Sequence, residues 1–299
     1  MLLSVVIVSY NTKEILIECL QSAYKALDQM SSEVFVVDND SLDGTVESIK
    51  TAFPKTILIA NKENIGFSKA NNIAIKRAKG KYVLVLNPDT KVLKDTFVKM
   101  VELMEKNTKI GIATCRVELA SGGLDKDCRR HFPSPWKAFC HFAGLSKIFR
   151  RSKLFDSYYY GYIPETKEHE VDACVGAFMI IRKKDLDKVG YFDEDFFFYG
   201  EDLDLCYRFR QAGHKIIYTP ITKIIHYKGA ASGIKPPSMH LSKATLKSKE
   251  RAVRESTRAM ELFYQKHYVG KYPAILTWLV IFSVKILEYY RLFKIRYLL

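Results

Sequence analysis

Through the first hundred or so residues, short and nearly unbroken apolar runs alternate with longer stretches that are apolar on one face only. The runs are Leu3 to Val8, Val34 to Val37, Ile57 to Ile59, Tyr82 to Leu86 and Ile110 to Thr114. A strand without polar alternation is covered on both faces, so the pattern predicts βαβ units around a mostly parallel central sheet flanked by helices, an α/β fold. From about 116 to 170 the pattern loosens into Gly, Pro and aromatic residues, which predicts loops and short helices covering a site. Regular structure is expected again over Val171 to Ile181 and in a helix from about Glu201 to Ala212. Strands are expected near Lys215 to Tyr218 and Lys223 to His226, and a basic helix over 242–268. Residues 272–284 form an apolar run that Lys285 interrupts, short of the ~20 residues needed to cross a bilayer. It reads equally as a helix lying in a membrane interface and as one docked on the core, since both need one apolar face.

A chain of 299 residues buries a full core without staples. The six cysteines show no C-x-x-C pair and no clustering with histidine, which excludes a zinc knuckle or disulfide framework and predicts core thiols in a reducing compartment. The opening apolar run lacks a basic leader and a cleavage site, so it is expected to be a buried strand rather than a signal peptide, and Asn39-Asp40-Ser41 an unmodified triplet in a cytoplasmic protein. A net charge of +14 favours polyanionic partners. The basic residues thicken after 235, and the end alternates apolar blocks with Lys285, Arg291, Lys294 and Arg296. That pattern suits an anionic membrane surface better than nucleic acid, because the aromatics sit beside carboxylates and not on a basic platform.

Ligands of parallel sheets bind beyond the carboxyl ends of the strands, and here those ends are consistently polar. Ser9-Tyr10-Asn11, Asp38-Asn39-Asp40-Ser41, Asn61 to Gly66 and Asn87-Pro88-Asp89 follow the first four runs. Pro88 stops the ladder and presents Asp89, whose carboxylate suits a hard divalent ion; the same triplet is also simply a good turn. Asp38 is placed to accept hydrogen bonds from a base or ribose, or to cap the helix expected near Asp43. Between Gly190 and Asp204 acidic and aromatic residues alternate in blocks. Helix-dipole pairing accounts for Asp204 with Arg208; Glu201 and Asp202 beside an aromatic wall point instead to a desolvated carboxylate suited to general-base work. His226 ends a late apolar strand, either as a structural histidine or as a second metal donor beside Asp89.

Taken together, these motifs resemble the inverting family-2 glycosyltransferases of the GT-A fold, in their rhamnosyltransferase-like branch. The resemblance rests on Val6-Ile7-Val8-Ser9-Tyr10-Asn11, on Val36-Val37-Asp38-Asn39-Asp40-Ser41, on Asn64-Ile65-Gly66-Phe67 with Ala70-Asn71-Asn72, and on Leu86-Asn87-Pro88-Asp89. It continues through Gly176-Ala177-Phe178 and Phe198 to Cys206, in order, from residue 3 to about 230. It implies that Ser9, Tyr10, Asn11, Asp38, Asn64, Gly66, Phe67, Asn87 and Asp89 bind the nucleotide sugar, a dTDP- or UDP-sugar, and that Asp89 and His226 hold Mg2+ or Mn2+. Asp202 is then the catalytic base and Glu201 orients it. Asn87 stands where the family's D-x-D motif has its first acid, so fewer carboxylates hold the ion. Arg129, Arg130, Trp136 and Tyr199 are the acceptor-binding candidates, and the acceptor a lipid-linked or cell-surface glycan. The implied division is 1–115 for the nucleotide sugar, 116–235 for acceptor and catalysis, and 236–299 as a helical, membrane-associating extension at the inner face of the cell membrane, with a homodimer allowed. A nucleotidylyltransferase needs a Gly-rich loop after the first strand, where Ser9 to Lys13 has no glycine; a non-catalytic nucleotide-binding scaffold at the membrane remains the rival reading.

Overall fold

The structure, a computed structural model, describes residues 1–28, 30–229 and 245–297. The predicted start of the basic helix at 242 and the boundary at 235/236 lie outside them. The first half runs β1 (Leu3–Ser9), α1 (Lys13–Ala26), β2 (Ser32–Asp38), α2 (Thr45–Ala52), β3 (Ile57–Ala60), α3 (Phe67–Arg77), β4 (Tyr82–Leu86), β5 (Thr90–Val92), α4 (Thr96–Lys106) and β6 (Ile110–Leu119). It continues with α5 (Pro135–Phe142), α6 (Leu145–Ile148), β7 (His169–Glu170), β8 (Phe178–Arg182), α7 (Lys183–Val189), α8 (Glu201–Gln211), β9 (Lys215–His226), α9 (Leu246–His267) and α10 (Ala274–Tyr297). Every residue of β1, β4 and β8 is buried, as unalternating apolar strands require.

The sheet order is β3-β2-β1-β4-β8-β6-β9-β5, with β7 pairing on β9. The first four strands are parallel. Beyond β4 the sheet turns mixed, because β8 runs antiparallel between β4 and β6. Right-handed crossovers from β1 through β3 put α1 and α2 on one face; the return from β3 to β4 reverses direction and puts α3 on the other. The switch point therefore falls between β1 and β4, with Ser9 to Asn11 and Asn87 to Asp89 at its rim.

The structure amends two sequence expectations. The strands foreseen near 215–218 and 223–226 are one strand, β9, whose register on β6 shifts between Cys115↔Thr219 and Arg116↔Lys223. Pro220 lies in the looped-out residues, where its missing N–H costs no ladder bond. Of Val171 to Ile181 only Phe178 onward is strand, and the residues before it form a site loop.

Helices α9 and α10 pair antiparallel, and α9 packs on α8 and the segment before it through its own cluster of Phe196, Tyr207, Ala259, Phe263, Tyr264 and Tyr268. All six cysteines are buried and free, as expected. No described helix is long and apolar enough to cross a membrane.

Candidate active site

Three loops at the ends of β1, β2 and β3 are tied into one surface by side-chain amides. Asn11, at φ 52°, accepts from Leu42 N–H through Oδ1 (2.8 Å), and its own N–H donates to Ser41 Oγ (2.8 Å). Asn39 donates to the Gly66 carbonyl (3.1 Å) and accepts from Asn61 Nδ2 (2.8 Å). Sequence reasoning quoted Asn39 but gave it no role; two strand-end asparagines facing one another were the only signal. Ser9 is buried against Thr12 Oγ1 at 3.0 Å, while Tyr10 is exposed at the rim. Asp38 is buried, with Oδ2 on Ser41 N–H (2.9 Å) and Oδ1 without a partner, and burial raises its pKa. Capping falls to Asp43, which accepts from Thr45 N–H (3.2 Å) and Lys13 N–H (2.9 Å). An orphan carboxylate oxygen at the switch point is suited to a ribose or base donor.

Asn64 Oδ1 accepts from Gly66 N–H at 3.1 Å, and Gly66 at φ 88° opens α3. A Cβ there would lie 2.7 Å from the Phe197 carbonyl, the same oxygen that accepts Phe67 N–H at 2.7 Å. This close approach docks the acidic-aromatic segment on the nucleotide half, with Ser68 and Asn72 bonding the Phe196 and Phe192 carbonyls at 2.7 and 2.8 Å.

Asp89 and His226 come together because β5 pairs antiparallel with β9, Thr90 opposite His226, and Tyr227 N–H donates to the Asp89 carbonyl at 2.9 Å. Asp89 Oδ1 lies 3.3 Å from His226 Nε2, both buried, yet it has no hydrogen-bond partner. His226 Nδ1 meets Asp125 Oδ2 at 3.0 Å. Burial alone would lower the histidine pKa, but the Asp89 charge and the Asp125 hydrogen bond outweigh it and push it up to about 9. An orphan carboxylate oxygen beside an imidazole nitrogen, at a spacing near the ~3 Å between adjacent ligands of an octahedral ion, fits a hard divalent cation. The described residues hold no group of three or more His, Cys, Asp or Glu arranged for a metal, so the protein would supply few donors.

From this pair a chain of alternating charge runs to the helix that bears the acidic pair. Asp125 also binds Lys228, Lys228 reaches Asp127 at 2.5 Å, Asp127 lies 3.9 Å from Arg130, and Arg130 Nη2 meets Asp202 Oδ2 at 2.7 Å. The same Asp202 oxygen accepts Gly176 N–H at 3.3 Å, and one residue further the Ala177 carbonyl accepts Asn87 N–H at 3.1 Å. Asp89 and Asp202 thus belong to one continuous network. Asp125, Asp127 and Lys228 were not foreseen, since they carry no motif and meet only through the fold.

Gly200, at φ 82°, precedes α8 and lets Ala259 and Phe196 approach to 3.0 Å from where a Cβ would stand. Tyr199 before it is also left-handed at φ 72°. Two such residues aim Glu201 and Asp202 inward as the helix starts. Glu201 is buried, its Oε2 has no partner, and burial followed by the neighbouring Asp202 charge pushes its pKa up to about 8. The desolvation foreseen for the pair falls most heavily on Glu201. Among the acceptor candidates, Arg130 is engaged with Asp202. Arg129 is buried, donating to the Ile163 carbonyl (2.9 Å) and stacked on Tyr218, which commits it to holding the 163–165 segment. Trp136 is 47% exposed on α5, its indole N–H on the Leu154 carbonyl at 3.2 Å.

Polar strand ends and buried carboxylates at the switch point mark an α/β protein with a ligand site beyond the carboxyl ends of its strands, and comparison with known proteins says which family it belongs to. The family described as glycosyl transferase family 2 matches residues 4–190, and the chain belongs to that family. The chain is 26% identical over 251 residues, 80% of each chain, to the N-acetylglucosaminyl-diphospho-decaprenol L-rhamnosyltransferase of Mycobacterium tuberculosis. It is 31% identical over 172 residues, 54% of this chain and 61% of the relative, to rhamnosyltransferase WbbL of Escherichia coli K12. Among solved structures, the mannosyltransferase PcManGT from Pyrobaculum calidifontis in complex with GDP-Man and Mn2+ aligns over 97% of this chain and 86% of its own, with a TM-score of 0.53 at 17% identity. GalNAc-T7 with UDP, GalNAc and Mn2+ aligns with a TM-score of 0.56 at 19% identity over 88% of this chain, which spans half of that longer one. At these identities the structural likeness is one of fold, and the fold is GT-A. The protein is a glycosyltransferase.

Proposed function

We propose that the enzyme transfers a hexose, rhamnose by analogy with the relatives' names, from a dTDP- or UDP-sugar to a lipid-linked or cell-surface glycan, with inversion at the anomeric carbon. The observation that supports this is the continuous chain of ion pairs that links Asp89 and His226 to Asp202. Asp38, with its orphan oxygen, and the Asn39-bridged loops receive the nucleoside; Asn64 to Phe67 line its ribose and phosphate side. Asp89 and His226 would hold Mg2+ or Mn2+, which would supply positive charge for the leaving diphosphate. Asp202 takes the proton of the attacking acceptor hydroxyl, held in place by Arg130 and Gly176 N–H. Glu201, neutral below about pH 8, adds no second charge beside it. In this reading 1–115 serves the donor, 116–235 the acceptor, and the C-terminal helices seat the protein on the inner membrane face.

The test is Asp202→Asn. Sugar transfer, followed as nucleotide diphosphate release with a panel of nucleotide sugars and a prenyl-diphosphate-sugar acceptor, should vanish, while donor affinity by calorimetry stays within a few-fold. Retained turnover would remove Asp202 as the base. Turnover with no donor in a broad panel would favour the scaffold reading.

A further inference from the structure

Helix α10 pairs with α9 and yet leaves much of its apolar surface uncovered. Three of its charged residues pair with α9, Lys285 2.8 Å from Glu261, Glu288 3.1 Å from Arg254 and Arg296 2.6 Å from Glu250. Val280 packs on the α9 cluster, but many of the large apolar residues remain in the open. Ile275, Leu279, Phe282, Ile286, Tyr289 and Phe293, at steps of three and four, draw one stripe along the helix and are each 45–75% exposed.

A second surface of the same character projects from the catalytic half. On α5, α6 and the turn after them, Trp136, Phe139, Phe142, Ile148, Phe149 and Leu154 are 47–71% exposed. They are interleaved with Lys137, Lys147, Arg150, Arg151 and Lys153, and no carboxylate occurs from His131 to Phe155. Phe132, just before α5, packs on Tyr207 of α8 at 5.0 Å and Phe263 of α9 at 6.5 Å between ring centroids. Two residues before that, Arg130 holds Asp202. The patch therefore springs from the same stretch of chain that supports the base.

Exposed aromatic and aliphatic side chains set among cations, with no anion, match the headgroup layer of an anionic bilayer: rings at the interface, lysine and arginine on lipid phosphates. A second copy of this chain fits poorly. An isologous contact would press five like charges onto the same five. We propose that the α5–α6 segment is a second bilayer contact, acting with the outward stripe of α10 to seat the acceptor side of the site on anionic lipid. This rests on the reading of α10 as membrane-associating and adds a contact that α10 does not include.

The protein's two tryptophans, Trp136 and Trp278, fall one on each surface, so each can be read alone in the full chain. Trp278→Phe leaves Trp136 as the reporter, and Trp136→Phe leaves Trp278. With vesicles of phosphatidylglycerol and brominated phosphatidylcholine, both reporters should shift to the blue and be quenched. Quenching of Trp278 without Trp136 overturns the second contact and spares the α10 reading. Quenching of neither, with no co-sedimentation, overturns the membrane reading itself. A blue shift of Trp136 that grows with protein concentration in the absence of lipid assigns the patch to self-association and also overturns the proposal. Lys147→Gln/Arg150→Gln/Lys153→Gln should lower partitioning onto the anionic vesicles on the order of 100-fold at low salt. Unchanged partitioning of that variant would refute the electrostatic part.

Discussion

The buried Glu201 makes stability depend on pH in a way one substitution should remove. Its pKa rises from 4.5 in the unfolded chain to about 8 in the fold, through burial first and then the charge of Asp202. Below pH 4.5 both states hold the proton and the group contributes no slope. Between 4.5 and about 8 the unfolded chain loses its proton while the folded one keeps it, so stability falls as pH rises. The slope approaches 1.36 kcal/mol per pH unit, and across the interval the loss reaches at most about 5 kcal/mol. Above about 8 both are ionised and the loss is complete. Glu201→Gln keeps the shape and cannot ionise. Urea unfolding of wild type and variant at pH 5, 6, 7 and 8 should give a stability difference that moves in the variant's favour by several kcal/mol across the series, other titrations cancelling. Parallel curves would refute the desolvation argument. The variant should retain sugar transfer well above that of Asp202→Asn; an equal loss would move the base to Glu201.

Arg130→Met leaves the buried Asp202 without its cation and should cost ~3–5 kcal/mol in unfolding free energy along with transfer. Adding Asp202→Asn should recover part of the stability and none of the activity, and an unchanged melting temperature in the single variant would count against the pair. Gly66→Ala forces a left-handed residue to carry a Cβ 2.7 Å from the Phe197 carbonyl, so stability should fall by ~1–3 kcal/mol and donor affinity with it. A melting temperature within error of wild type would show that the Phe197 loop yields freely.

Strands β1, β2 and β4 were legible because they are buried almost throughout, and such strands show as unbroken apolar runs; the edge strand β3 shows the same run although it is only partly covered. The polar residues ending them were legible for the same reason, since an abrupt change of character marks where a strand leaves the core. What pairs Asp89 with His226 was not. Strand β5 is three residues long with an exposed Lys91 at its centre, too short for any period to show. Asp125, Asp127 and Lys228 gain their meaning from contacts more than 100 residues apart in sequence. The run at 272–284 announced one apolar face, but a helical period says nothing about which neighbour that face meets. Here Val280 packs on α9 while Ile275, Leu279 and Phe282 stay exposed.

The C-terminal helices differ in what the site asks of them. Helix α9 clamps the segment that carries Asp202: His267 lies 2.8 Å from Asp204, Lys266 binds Asp193 and Asp195 at 2.7 and 2.6 Å, and Ala259 occupies the space Gly200 leaves open. Its buried Phe263 and Tyr264 each contribute about 1.5–3 kcal/mol, so their loss takes a large share of the ~5–15 kcal/mol that holds a folded protein together. Helix α10 meets that cluster through Tyr272 before it, through Val280, and through Thr277, whose hydroxyl lies 3.2 Å from that of Tyr264. A chain ending at Val269 should therefore stay folded, bind donor and transfer to a water-soluble acceptor analogue, yet lose most of its vesicle binding. A chain ending at Thr245 exposes Phe196 and Tyr207 and should lose transfer to any acceptor, with a drop in melting temperature of well over ten degrees. If the shorter chain kept its turnover, α9 would be an anchor alone, and the orientation of Asp202 would have to come entirely from Arg130 and the Gly176 loop.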